Sequence, residues 1–200
     1  MRARLYISRI DPGLGITEDF SQYRLERLRG INNPARRAES VTAERLLLCA
    51  LRDTEPGTAL PPEIRPGAHG KPELFGSALH FSLSHSGDYC ACALCEAEIG
   101  VDIQRRVPLD RRVAERKFSA AERNLVLGAS ESDAAFTRIW AMKESYVKAL
   151  GAGLSLPLES FCVLSCGAGF YTGEHDGHFY ALCVPEAREL SAECVVVDRI

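Results

Sequence analysis

The clearest pattern of apolar and polar positions in the chain is FTRIWAMKESYVKALGAGL, residues 136–154. Apolar side chains recur there every three or four residues, which predicts a helix with one buried face: Ile139, Met142, Tyr146, Ala149 and Leu150. Two glycines, Gly151 and Gly153, predict where the helix ends. A second stripe, at a spacing of four, projects from another side of the helix: Trp140, Glu144 and Lys148. Taken alone, the last two are typical of an ion pair on a solvated helix surface.

Short runs of alternating or continuous apolar residues predict strands in both parts of the chain. The first part carries them at residues 4–10, 78–84, 88–95 and 98–103. The second part carries them at residues 161–166, 169–172, 178–184 and 194–198. Because each part combines helices with a few neighbouring strands, the pattern indicates an α+β fold.

Three further helices are predicted from their start signals. Thr17 precedes two acidic residues and predicts a short first helix. Pro34 opens a longer helix, whose second half is apolar nearly all round and is therefore expected to be buried. Ser119 and Glu122 have the spacing of a capping box, which explains this motif without any chemistry.

A basic run then marks the boundary that we predict, with an N-terminal half at residues 1–104 and a C-terminal half at 105–200.

Composition narrows the class of protein. The 200 residues are 46% hydrophobic and 26% charged, which is typical of a globular protein. The net charge of −3 gives no overall basic field for nucleic acid. No apolar run approaches the roughly 18 residues of a membrane span, and the first residues lack the apolar core of a signal peptide. We therefore expect a cytoplasmic protein with no nucleic-acid or membrane partner, whose eight cysteines are free thiols.

The only close cysteine cluster is Cys90, Cys92 and Cys95. A structural zinc site would need a second pair of ligands, which the neighbouring sequence does not offer. The cluster lies in an apolar run that predicts a strand, so small buried side chains are the favoured interpretation.

Four short stretches carry groups suited to phosphate or metal chemistry: Gly70-Lys71-Pro72, Phe81–Ser86, Gly100–Gln104 and the helix of residues 136–154. Taken singly, the first is a common turn, the second a strand end with capping groups, and the third an acid beside a turn. In this order and spacing, they resemble the 4′-phosphopantetheinyl transferases of the larger, surfactin-synthetase-activating type. The resemblance runs from Gly70 to Leu154.

The resemblance implies an enzyme that transfers phosphopantetheine from coenzyme A to a serine of an apo-carrier protein and releases adenosine 3′,5′-bisphosphate. Such a holo-[acyl-carrier-protein] synthase acts on acyl or peptidyl carriers, and fatty-acid, polyketide and nonribosomal-peptide carriers all stay open. The family also implies two similar α/β halves, each with a small, mostly antiparallel sheet packed with helices. The active site would lie in the cleft between the halves of a monomer.

The resemblance further implies a Mg²⁺ ion, with Mn²⁺ as an alternative, held by Asp102 and Glu144. Hard oxygen ligands of this kind suit either ion. Gln104 stands where many members have a third acid, and its amide oxygen could ligate the ion or hold a water without adding charge. Glu144 also occupies the position of the family's proposed general base, for which a metal-bound water is the alternative. Lys148 would neutralise the pyrophosphate, with Lys143 as a second candidate cation.

Other residues match the family's contacts to coenzyme A. Ser84, His85 and Arg45 correspond to 3′-phosphate contacts, a role that suits the forked guanidinium of arginine. Arg36 and Arg37 are further candidates. The adenine pocket would be lined by Gly70, Lys71 and Pro72.

Six basic residues crowd the stretch after the predicted strand of residues 98–103: Arg105, Arg106, Arg111, Arg112, Arg116 and Lys117. Such a run is usually a solvated face. Carriers of this class are acidic helical bundles, so the resemblance adds a second interpretation, a surface that attracts and docks the carrier. Two rival functions stay open: a non-catalytic coenzyme A or nucleotide-binding relative, and a metal-dependent phosphohydrolase that uses the same acids.

Overall fold

A computed structural model describes residues 1–198 and 200 of the chain, without the side chains of Ala68 and Leu154. The helices are α1 (Gln22–Arg29), α2 (Pro34–Thr54), α3 (Arg111–Lys117), α4 (Ala120–Gly128) and α5 (Ser132–Leu150). The strands are β1 (Arg2–Arg9), β2 (Ile64–Pro66), β3 (Pro72–Leu74), β4 (His80–Ser86), β5 (Tyr89–Cys95), β6 (Gly100–Arg105), β7 (Gly169–His175), β8 (His178–Val184) and β9 (Ser191–Val196). None of the described helices is long and apolar enough to cross a membrane.

The first sheet has the strand order β4-β5-β1-β9, with β9 parallel to β1 and the other pairs antiparallel. Its strand β5 is buried at every position, as its apolar run predicts. One face packs against the apolar second half of α2, through Cys90, Cys92 and their neighbours. Cys95 belongs instead to the core on the opposite face, so the three thiols do not converge on one point. Burial raises the pKa of Cys90 to about 12, as expected for a cysteine in an apolar core.

The second sheet has the order β6-β8-β7 and is antiparallel throughout. Its inner face shares one apolar core with the first sheet. The helix α5 packs against β6 and β8 on the face that carries Gly100. Gly100 permits this packing, because a β-carbon there would lie 1.9 Å from the carbonyl oxygen of Ser145 and 2.4 Å from the amide nitrogen of Ala149. The backbones of β6 and α5 are therefore in direct contact, which fixes the helix close to the strand.

These small sheets packed with helices confirm the predicted α+β fold. Two strand pairs cross the predicted boundary at residue 104: β6 pairs with β8, and β1 pairs with β9. The division at residue 104 stays a prediction, and sheet membership does not follow it.

Two predicted elements were wrong. The first helix begins at Gln22 and not at Thr17, because Ser21 caps it by accepting a hydrogen bond from the amide of Arg24. Residues 161–166 form no strand; they follow a 3₁₀ turn and pass over α5. Phe161 and Val163 of this segment pack in the core of the helices α3 to α5, which explains the misleading pattern.

Serine hydroxyls join the two sheets where the edge strands β4 and β6 run side by side. Ser82 Oγ accepts a hydrogen bond from the amide of Val101 at 3.0 Å, and Ser86 Oγ accepts one from the amide of Arg105 at 3.1 Å. Ser84 lies between them on the same face of β4, since alternate side chains of a strand share a face. This serine seam replaces the backbone ladder that two strands of one sheet would form.

Candidate active site

Three side chains from different elements meet at the serine seam. Asp102 on β6 is only 6% exposed, and its Oδ1 accepts hydrogen bonds from Ser84 Oγ at 2.8 Å and from Lys148 Nζ at 2.7 Å. Lys148 Nζ also lies 2.9 Å from Ser84 Oγ. The second carboxylate oxygen of Asp102 is buried and has no hydrogen-bond partner among the described residues. A buried acceptor without a partner is costly and suggests a ligand that the protein itself does not supply.

Glu144 lies one helical turn before Lys148 on α5. Burial, and then the negative charge of Asp102, raise the pKa of its carboxyl group, while Lys148 acts in the opposite direction. The two acids therefore belong to one electrostatic site. Lys148 forms its ion pair with Asp102 across the fold, so a simple surface pair between Glu144 and Lys148 does not describe this helix.

The donor set fits a hard divalent cation. Asp102 offers an unpartnered oxygen, Glu144 a second carboxylate, and Gln104 lies two residues along β6, on the same face as Asp102. Among the described residues, no group of three or more histidine, cysteine or acidic side chains could hold a metal ion. An ion here would therefore depend on two carboxylates, the amide of Gln104 and oxygen ligands from outside the chain.

A cavity of about 330 Å³ opens beside this site. Its walls come from four parts of the fold: α1, strand β4, the loop that precedes β3, and the C-terminal end of α5. Four cationic side chains line it: Arg24, Arg27, Lys71 and Lys148. Gly70 and Pro72 of the predicted adenine pocket also line it. The loop turns at Gly70, whose φ of +83° is readily adopted only by glycine.

A second cavity of about 320 Å³ shares two arginines with the first, Arg24 and Arg27. Arg36 and His85 also line it, and His85 Nδ1 lies 3.4 Å from a carboxylate oxygen of Glu39. The two cavities together form a cationic groove, which we call the α1 groove. Arginine forks in such a groove suit phosphate groups.

The structure does not bring together the three residues predicted at the 3′-phosphate. His85 opens into the α1 groove, whereas Ser84 points to Asp102 on the opposite face of β4. Arg45 is half-buried on α2 and is not among the described residues that line either cavity. Arg37 donates to the carbonyl of Leu28 at 3.1 Å, which ties α2 to α1. The assignments of Ser84, His85, Arg45 and Arg37 to the 3′-phosphate stay predictions.

The arginines of α1 are functional candidates that the sequence reasoning missed. Arg24 and Arg27 lie one turn apart and share a face of the helix. Arg24 is mostly buried and pairs with the buried carboxylate of Glu44 at 3.0 Å, whereas Arg27 is exposed. The spacing of three between the two arginines would have predicted that they share one face of a helix. This prediction required the helix to be placed at residues 22–29 and not to begin at Thr17.

Lys143 is not available as a second cation. Its side chain is fully buried and lies 2.8 Å from a carboxylate oxygen of Glu122, which is also fully buried. It also donates to the carbonyl of Phe161 at 2.8 Å. The buried face of α5 therefore differs from the predicted one: Lys143 is buried, and Leu150, which was predicted to be buried, is 44% exposed. Trp140 packs with aromatic rings of the helical core.

The basic stretch ends β6 and continues into α3. Arg106 pairs with Glu131 at 2.6 Å, and Lys117 lies 3.7 Å from Glu159. Three arginines of α3 project into solvent: Arg111, Arg112 and Arg116. Exposed arginines on one short helix could meet an acidic partner without disturbing the fold.

Residues 98–191 match the family model of the 4′-phosphopantetheinyl transferase superfamily. The matched range includes Asp102, Glu144 and Lys148. The resemblance predicted from the four sequence stretches is thereby confirmed.

Individual relatives carry the same description. The 4′-phosphopantetheinyl transferase Sfp of Bacillus subtilis (strain 168) is 42% identical over 86 residues, which are 42% of this chain and 38% of that protein. A second Bacillus subtilis 4′-phosphopantetheinyl transferase is 40% identical over 115 residues, 55% of this chain and 51% of that protein. The gsp transferase of Aneurinibacillus migulanus is 33% identical over 102 residues, 50% of this chain and 43% of that protein. The chain thus spans about half or less of the length of these relatives.

Proposed function

We propose that this chain is a 4′-phosphopantetheinyl transferase. The serine oxygen of a carrier protein attacks the phosphorus that bears the pantetheine arm of coenzyme A. The P–O bond to the rest of the pyrophosphate breaks, adenosine 3′,5′-bisphosphate leaves, and the serine proton passes to a base. The observation that carries the proposal is the convergence of Asp102, Glu144 and Lys148 at the edge of a cationic groove. The family resemblance implies a monomer.

A Mg²⁺ ion, or Mn²⁺ in its place, would be held by Asp102 and Glu144 with the amide oxygen of Gln104. The ion would supply positive charge to the pyrophosphate oxygens as the leaving group forms. The protein's own contribution is Lys148, whose ammonium group is held on Asp102 and Ser84 beside the groove. From there it can neutralise charge that develops on the phosphates.

Glu144 is the base in this proposal. In the protein without a bound ion, burial and the charge of Asp102 raise the pKa of its carboxyl group. A bound cation lowers the basicity of a carboxylate, so a metal-bound water is the alternative base. Glu144 lies one helical turn from Lys148, and the charge of Asp102 acts on it, which supports a role at the same site.

The decisive experiment is a mass measurement on apo-carriers. Incubation with coenzyme A and Mg²⁺ should add one phosphopantetheine to at least one acyl, polyketide or peptidyl carrier, and EDTA should abolish the gain. Tight coenzyme A binding without transfer to any carrier would favour the non-catalytic relative. Cleavage of coenzyme A without a carrier would favour the phosphohydrolase.

The α1 groove would seat the nucleotide end of coenzyme A, with adenine near Gly70 and Pro72 and the 3′-phosphate near His85. Replacing Arg27 and Arg36 together by glutamine should weaken coenzyme A binding at least about tenfold, because each loses a charge-assisted hydrogen bond. Isothermal titration with dephospho-coenzyme A is the control. This ligand lacks the 3′-phosphate, so the double variant and the wild type should bind it equally well. Equal weakening for both ligands would place the 3′-phosphate elsewhere.

The exposed arginines of α3 would dock an acidic carrier. Reversing the charge at Arg111 and Arg112 to glutamate should raise the KM for the carrier about tenfold or more and leave the KM for coenzyme A unchanged. The matched control is a second double reversal with the same change in net charge, at the exposed residues Arg2 and Arg188. An unchanged KM for the carrier in the first variant would show that docking occurs elsewhere.

A further inference from the structure

The ammonium group of Lys71 is held inside the protein, although its side chain lines the α1 groove. Lys71 is 12% exposed and pairs with Glu98 Oε2 at 2.6 Å. It also donates to the carbonyl oxygens of Ile99 at 3.2 Å and Ala149 at 3.1 Å. A lysine ammonium has three N–H donors, so these three partners use all of them. Only the aliphatic stem is left to contact a ligand in the groove.

The three partners lie where the last turn of α5 meets the start of β6. Ala149 belongs to the last turn of α5, whose carbonyls have no partner within the helix, and a cation there also complements the helix dipole. Glu98 and Ile99 lie directly before β6. Lys71 therefore joins the end of the helix that carries Lys148 to the start of the strand that carries Asp102.

The same region contains the closest backbone contact between these two elements. A β-carbon on Gly100 would lie 2.4 Å from the amide nitrogen of Ala149, so helix and strand leave no space between them. Close contact alone does not prevent the last turn of a helix from fraying, because its carbonyls need partners. The Lys71 ammonium supplies such a partner at Ala149.

We propose that Lys71 is a positioning residue, which locks the last turn of α5 onto β6 and so holds Lys148 in register with Asp102. The inference rests on the proposed transferase function and deepens it. A small displacement of a catalytic group can lower the rate by about a hundredfold, so a contact outside the reacting atoms can control kcat.

Two substitutions separate this role from direct ligand binding. Lys71→Met keeps the stem that lines the groove and removes the ammonium, whereas Glu98→Gln removes its charged partner, which does not line the groove. We expect kcat to fall about tenfold or more in Lys71→Met and by a smaller factor in Glu98→Gln. The KM for coenzyme A should stay within about threefold of wild type in both. Lys71→Met removes three contacts, including the Glu98 pair that Glu98→Gln weakens, so the double variant should be no slower than Lys71→Met. Lys71→Arg should restore part of kcat.

Other kinetic outcomes would overturn the positioning role. A tenfold rise in the KM for coenzyme A in Lys71→Met, with kcat unchanged and Glu98→Gln like wild type, would make Lys71 a ligand contact. Wild-type kinetics in both variants would remove any role for the ammonium.

Amide hydrogen exchange tests the lock without substrate, metal or turnover. Amides of residues 147–151 should exchange faster in Lys71→Met and Glu98→Gln than in the wild type, while amides of the central strand β5 should not change. Unchanged exchange at the helix end would contradict the lock. Absence of transfer by the wild-type protein would contradict the proposed function, and the exchange result would stand separately from it.

Discussion

Replacing Glu144 by glutamine is expected to lower turnover by a hundredfold or more. The amide has nearly the shape of the carboxylate, but it cannot take the serine proton and carries no charge for a cation. Removal of a single group that stabilises charge in a transition state commonly costs a factor of this size. The variant should still fold, because the Glu144 side chain makes no hydrogen bond with the described residues that the amide would break. Initial rates of carrier modification at saturating coenzyme A measure the effect.

The appropriate control is Glu193→Gln, which removes a negative charge from an exposed residue of β9 that pairs with Arg2. It should leave the rate within about twofold of wild type, since exposed pairs contribute little. A rate for Glu144→Gln within tenfold of wild type would show that another group takes the proton and neutralises the charge.

The two acids illustrate how much of the site can be predicted from sequence. Asp102 lies in an apolar strand and Glu144 on a helix with a clear apolar period, so each position was readable locally. That they meet depends on Gly100, which lets α5 approach β6, and this effect is visible only once the helix and strand are known to pack together. The family resemblance supplied the pairing that local patterns could not.

Ser84 and His85 show that adjacent residues of a strand can face different sites. The motif Phe81–Ser86 suggested that Ser84 and His85 act together, but neighbours on a strand point to opposite faces. The alternation of serine with other residues was present in the sequence. What it could not show was that the serine face meets β6 rather than solvent.

Local sequence patterns also could not predict which strands pair when they lie far apart in the chain. β9 lies almost 190 residues after its partner β1, with Arg2 opposite Ser191. Nothing in either strand's own pattern specifies such a partner, because alternation reports which side is buried and not which neighbour it pairs with. The same limit explains why β6 was grouped with β4 and β5 by sequence order.

Lys143 is fully buried, which is rare for a lysine, and its replacement is expected to cause a large loss of stability. Lys143→Met would leave the buried carboxylate of Glu122 without its cation, and both side chains are fully buried. Breaking such a pair costs about 3–5 kcal/mol of unfolding free energy. For a chain of this size, the midpoint of thermal unfolding should fall by on the order of 10 °C. Calorimetry or urea unfolding measures the change.

Two further variants make the result specific. Lys117→Met removes the cation of a half-exposed pair, 3.7 Å from Glu159, and should cost less than about 1 kcal/mol. In the double variant Lys143→Met, Glu122→Gln, the buried charge is gone, while an amide oxygen can still accept the hydrogen bond from the amide of Val163. Part of the lost stability should therefore return. If Lys143→Met cost no more than Lys117→Met, the buried pair would not hold α4, α5 and the segment after Phe161 together.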